Sequence, residues 1–141
     1  MSEENKELVR VAFRALETGD MDAVDELFHP NFVNHESAQG RPDGPEGMKQ
    51  TAEWLRKTFG SLSFAEQSIV AEGDRVVIRA LFKGTHQGDL FGIPPTGESF
   101  EIQQIHEYRT QDGKIAEHWA CRDDLGMLRQ LRVAPDRQLA G

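Results

Sequence analysis

A single cysteine, Cys121, occurs in the 141 residues, so no internal disulfide can staple this chain and a packed core has to hold it. The same usage makes the reducing cytoplasm the expected compartment. No apolar run approaches the roughly 18 residues that span a bilayer. The opening MSEENKELVR also lacks the basic-then-apolar plan of a secretory signal, so no membrane partner is expected. Basic residues are in deficit, 16 Lys and Arg against 24 Asp and Glu, and they are scattered. Without a basic stripe, a nucleic-acid partner is not expected either. Short metal-binding patterns such as HxH or HExxH are missing, which disfavours a metal site built by His35 or His86 with the other histidines and an acid. Neither GRPDGPEG nor GDLFGIPPTG leads from a strand into a helix, so neither reads as a phosphate cradle.

What is present suits one folded domain over 1–141: hydrophobic residues make up 38% and charged ones 28%, with no repeat or linker. Leu8, Val9, Ala12, Phe13 and Leu16 recur at helical spacing behind Ser2, a suitable cap, and Gly19 is the stop. Asp20 begins a short helix burying Ala23, Val24, Leu27 and Phe28, which Pro30 ends; NFVNH follows as a short strand or extended turn. A third helix starts at Pro45, buries Ala52, Leu55 and Phe59, and closes at Gly60. The period then falls to two, giving strands near 62–72, 75–86, 98–110 and 114–122. LGMLRQL reads as a short amphipathic helix before a loose tail. Helices followed by an antiparallel sheet give an α+β domain, with the helices covering one face of a strongly curved sheet.

The EGDR turn suits a two-residue loop that pairs Glu72 with Arg75. It puts Ala65, Ile69, Ala71, Val76, Ile78, Ala80 and Phe82 on a core face broken only by Gln67, and Glu66, Ser68 and Arg79 on the other. TQDGK allows a two-residue loop or a three-residue one with Gly113 left-handed; the latter is preferred and pairs Thr110 with Lys114 and His106 with His118. One face then carries Gln104, His106, Tyr108, Ala116, His118 and Ala120, polar and without fixed charge, as a pocket wall would be. The opposite face carries Ile105, Glu107, Arg109, Ile115, Glu117, Trp119 and Cys121 and suits a half-covered surface or a dimer contact.

Three stretches, ALETGDMDAVDELFHPNFVNH, GTHQGDLFGIPPTGESF and DGKIAEHWACRDDLGMLRQL, resemble the SnoaL-like polyketide cyclase (ester cyclase) family over nearly the whole chain, about Lys6 to Val133. GIPPTG and DGKIxEHW in this order are its more specific elements. The resemblance implies the nuclear-transport-factor-2-like fold, a cone-shaped half-barrel covered by three helices. It also implies a cofactor-free enzyme acting on a small molecule, commonly as a homodimer or higher oligomer, which closes a polyketide ring by intramolecular aldol condensation. Asn34, Gln104, His106 and His118 match its pocket residues. Its acid/base aspartate would fall two residues after His118, where this chain has Ala120.

The replacement acid or base would then be His106, His118 or Asp123, the last of which can instead cap the final helix. Asn34 and His35 can orient a carbonyl from the rim, Gln104 and Tyr108 line the wall, and Leu90, Phe91 and Ile93 can form an apolar lid. Trp54 and Trp119 suit packing or an interface, and Cys121 reads as an inert, half-buried thiol. The expected function is acid/base cyclisation or isomerisation of an apolar carbonyl compound. Water addition, for example to an epoxide, and non-catalytic binding by the same fold are the alternatives.

Overall fold

A computed structural model of the chain describes residues 2–133. The expected tail lies at 134–141, outside the described residues. The elements run α1 (Ser2–Thr18), α2 (Met21–Leu27), β1 (Phe28–Asn34), α3 (Gly44–Thr58), β2 (Phe59–Glu72), β3 (Arg75–His86), β4 (Ser99–Gln111), β5 (Lys114–Arg122) and α4 (Asp124–Gln130). The strands form one open sheet in the order β1-β5-β4-β3-β2, with β1 parallel to β5 and the other pairs antiparallel. This is the expected α+β half-barrel, with three helices before the long strands and one short helix after them. No helix among the described residues is long and apolar enough to cross a membrane.

Several boundaries move. Ser2 is already helical, and α2 stops at Leu27, so Phe28 opens β1 instead of closing a helix, though it is still buried. Pro30 sits inside β1, which is tolerable because β1 is an edge strand and its pairing with β5 is interrupted between Phe28 and Val33. The third helix closes at Thr58, and Phe59 and Gly60 begin β2. Asp20 does cap α2, its side chain accepting from the Ala23 N–H, and Gly19 takes a left-handed φ of 75°.

Even-numbered residues of β3 and β4 point inward, where Val76, Ile78, Ala80, Phe82, Phe100 and Ile102 are buried. The β2–β3 hairpin has the expected register, Glu72 with Arg75, Ala71 with Val76 and Ile69 with Ile78. A bulge between Glu66 and Ser68 then reverses the facing of the first half of β2. Phe64, not Ala65, faces the core and stacks on Phe82 at 4.8 Å. Glu66 likewise turns toward α1, where Arg10 binds it at 2.7 and 3.1 Å. Gln67, the one polar break in the core pattern, is the residue the bulge absorbs.

The β4–β5 hairpin corrects the preferred loop. Asp112 and Gly113 form a two-residue turn, both with positive φ (54° and 74°), and Gln111 pairs with Lys114. Asp tolerates the left-handed region well enough to hold the first position of such a turn. A bulge at Ala116 follows, so that Thr110 pairs with Ile115 but Arg109 pairs with Glu117. Both Ile115 and Ala116 are therefore buried, and Ile115 belongs to the core and not to the outer face. Beyond the bulge His118 lies opposite Tyr108, and His106 lies opposite Ala120. The sorting into an inner and an outer face survives, while the pairing is two residues away from that expected.

Candidate functional site

Between the inner face of the sheet and α1, α3 and α4 lies a cavity of about 470 Å³. Its walls are largely apolar: Phe13 and Leu16 from α1, Met48 and Leu55 from α3, Phe59, Phe64 and Phe82 from the sheet, and Met127 from α4. One wall is polar, formed by Gln104, His106, Tyr108 and His118 from β4 and β5 with Asn34 from the end of β1. Asn34 reaches it because β1 runs parallel to β5 and pairs Asn34 with His118.

The polar wall is one hydrogen-bonded chain. Asn34 Oδ1 lies 2.8 Å from His118 Nδ1, His118 Nε2 lies 2.8 Å from His106 Nδ1, and His106 Nε2 lies 2.8 Å from Gln104 Oε1. Its polarity is set at one end. The Glu36 backbone N–H, which can only donate, also binds Asn34 Oδ1 at 3.0 Å. His118 must therefore donate from Nδ1. Burial lowers the pKa of both imidazoles, that of His106 to about 3 and that of His118 well below the ordinary value, and the nearby Arg122 guanidinium pushes both the same way. Both rings are thus neutral at pH 7. Neutral His118 accepts at Nε2 from His106 Nδ1–H, leaving His106 Nε2 as a bare acceptor. Two acceptors cannot bond, so the Gln104 amide meets that nitrogen with its NH₂ end, a half-turn about its last bond. Every ring nitrogen is engaged, and neither histidine has a lone pair free for a substrate proton.

Aromatic contacts hold the chain flat. Tyr108 stacks on His118 at 4.8 Å and Phe13 meets His106 edge-on at 5.3 Å. Burial raises the Tyr108 phenol above its usual range, so it stays protonated.

The other expected site residues divide. Phe91 stands at the mouth, 80% exposed, with a φ of 49° and its ring 5.3 Å from Trp54, over which Arg41 lies at 5.7 Å. Leu90 is buried core beneath it. His35 is not on the cavity wall: alternation turns it outward when Asn34 turns inward, and it stacks on Trp119 at 4.7 Å with Nε2 2.8 Å from Glu117. Asp123 is not on the wall either. It caps α4, accepting from the Gly126 N–H at 2.9 Å. Cys121 is exposed, not half-buried. Among the described residues no group of three or more His, Cys, Asp or Glu could hold a metal ion.

The wall does carry fixed charge, against expectation. Arg122 lies opposite Gln104 and lines the cavity, with Glu36 and Asp124 each 3.9 Å from its guanidinium. Arg122 shares the even-numbered face of His118, so alternation could have found it. Glu36 arrives through the parallel β1–β5 pairing, which has no local sequence signal.

The SnoaL-like polyketide cyclase family model matches residues 6–131. The nogalonic acid methyl ester cyclase of Streptomyces nogalater is 38% identical over 83% of this chain and 89% of its own length. The aklanonic acid methyl ester cyclase DnrD of Streptomyces peucetius is 36% identical over 89% and 88%. Among solved structures, TsrD from Streptomyces laurentii superposes with a TM-score of 0.86 at 30% identity, covering 94% of this chain and 97% of its own. IdmH from Streptomyces antibioticus does so with a TM-score of 0.79 at 31% identity, covering 92% and 99%.

Proposed function

The chain belongs to the SnoaL-like polyketide cyclase family, and from that membership we propose that it closes a carbon ring in a polyketide methyl ester by acid/base chemistry of its own side chains. The observation that carries this reading is the composition of the cavity: about 470 Å³, apolar on most sides, with one polar wall that ends at a guanidinium. An apolar polycyclic ester fits the aromatic walls. Its ester carbonyl fits the polar end, where among the described residues Arg122 has two ion pairs, both as long as 3.9 Å, and the Asn34 NH₂ is open to a substrate oxygen. Donors fixed there before the reaction stabilise an enolate as its charge grows. The reaction moves a proton and forms a carbon–carbon bond with no net redox change. Gln104, His106 and His118 act in this reading as positioning residues that lock Asn34, and Tyr108 and Phe91 confine the substrate.

Aklanonic acid methyl ester and nogalonic acid methyl ester are the two probes. Ring closure, followed by chromatography because the product has the same mass, is expected well above the uncatalysed rate with at least one of them. Tight binding of both with no turnover would replace this reading with the binding-protein one.

We also propose a homodimer formed through the outer face of the sheet. Ile105 there is 44% exposed, and Trp119 is sandwiched between His35 and Arg75, the latter 5.1 Å from its ring. Light scattering is expected at twice the 15.9 kDa chain mass; the single-chain mass at micromolar concentration would count against it. The lone free thiol suits a reducing compartment, the cytoplasm.

A further inference from the structure

We propose that Glu36 is the carboxylate that takes the substrate proton, an inference that rests on the cyclase reading above. Ring closure by aldol chemistry needs a base within reach of the carbon beside the ester, and the polar wall does not supply one. The imidazoles of His106 and His118 have both nitrogens committed within the chain, and the Tyr108 phenol is protonated. Ala120, opposite His106, carries no titratable group. Among the described residues the cavity is lined by two acids, Glu36 and Asp124.

Those two differ in position. The Asp124 side chain is 67% exposed and sits in the first turn of α4, at the solvent edge of the cavity. The Glu36 side chain is 26% exposed. Its backbone is pinned to the site by the same hydrogen bond that orients Asn34, 3.0 Å from Glu36 N to Asn34 Oδ1. Its carboxylate is 3.9 Å from Arg122, too long for a hydrogen bond, so its lone pairs are not consumed by the guanidinium. Base, amide donor and cation are thereby gathered at one end of the cavity by the end of β1, the turn after it, and the end of β5, which β1 pairs alongside.

In the step this supports, a Glu36 oxygen forms a bond to the proton on the carbon beside the ester carbonyl. The C–H electron pair becomes the enolate, whose oxygen Arg122 and Asn34 hold. The enolate carbon then attacks the ketone carbon, its π bond opens to an alkoxide, and the proton returns from the Glu36 carboxylic acid to that oxygen. Atoms and charge balance within substrate and side chain.

The test follows two signals with aklanonic acid methyl ester: ring closure, and, in D₂O, deuterium uptake at the carbon beside the ester carbonyl. The same exchange is read on methyl acetoacetate, which cannot cyclise. Glu36→Gln is expected to lower both exchange and ring closure at least 100-fold, with KM within threefold and an unchanged melting temperature. Glu36→Gln combined with Ala120→Asp is expected to recover at least tenfold, because residue 120 faces His106 on the same wall. If Glu36→Gln retains exchange and closure within threefold, Glu36 is not the base while the cyclase reading stands. If the unmodified protein exchanges the proton through Glu36 and never closes a ring, the base stands and the cyclase reading falls. If the unmodified protein neither exchanges nor closes, both are overturned.

Discussion

Acidification from pH 6.5 to pH 5 is expected to cost the folded protein about 2 kcal/mol through His106 alone, with His118 adding in the same direction. The unfolded chain takes up a proton at each imidazole near pH 6.5, whereas the folded His106 accepts one only at about 3. Between those values the unfolded state binds more protons, so stability is complete above 6.5 and is lost as pH falls. A domain of this size has roughly 5–15 kcal/mol in total, so the loss is a sizeable share. Urea midpoints at pH 7, 6 and 5 measure it. Carboxylates cannot produce the same window. Glu66, held down chiefly by its hydrogen bond from Arg10, and Glu117, held down by His35 and then Arg109, lose their contribution only below about 4.5. Constant stability from pH 7 to 5, or assigned His106 and His118 signals titrating near 6.5, would show that the two rings are not neutral and locked as described.

Replacing Arg122 by Gln should lower kcat/KM for ring closure by about 10²–10³-fold, the range found when one preorganised charge-stabilising donor is removed. Most of the loss should lie in kcat, because the guanidinium meets a neutral ester before the reaction and an enolate during it. The same substitution removes a positive charge that depresses both histidine pKa values, so both should rise. Imidazole titration by NMR reads this without substrate. A rise in the histidine pKa values with unchanged kcat would leave Arg122 as an electrostatic neighbour of the chain and no more.

The order of helices and strands, the first hairpin register and the inner face of β4 were legible because each follows from local spacing and turn chemistry. The bulges at Gln67 and Ala116 were not, since a bulge settles a conflict between distant demands. Ile115 is pulled inward by Phe28 and the rest of the core, while His118, three residues on, is pulled inward by Asn34. Strict alternation cannot satisfy both, and an extra residue is the compromise. Within the site, alternation along β4 and β5 identified Gln104, His106, Tyr108 and His118 and would have continued to Arg122. Glu36 and the outward turn of His35 depend on where β1 lands against β5, a contact between residues more than eighty positions apart. Asp123 was ambiguous for a different reason: a residue at the junction of strand and helix obeys the geometry of neither until the cap forms.

Ala116 makes chain length, and not side-chain chemistry, the variable that decides what the cavity wall displays. Taking this residue out would leave Thr110 with Ile115 and Arg109 with Glu117 in an unbroken ladder, so the histidines would keep their direction. Taking out a residue between His118 and Arg122 would instead swing the guanidinium to the outer surface and bring Asp123 to the wall in its place, reversing the charge at the polar end. For anyone recombining related chains, a crossover that removes one residue at 116 keeps the wall, and the same change three or four residues later exchanges a guanidinium at its polar end for a carboxylate.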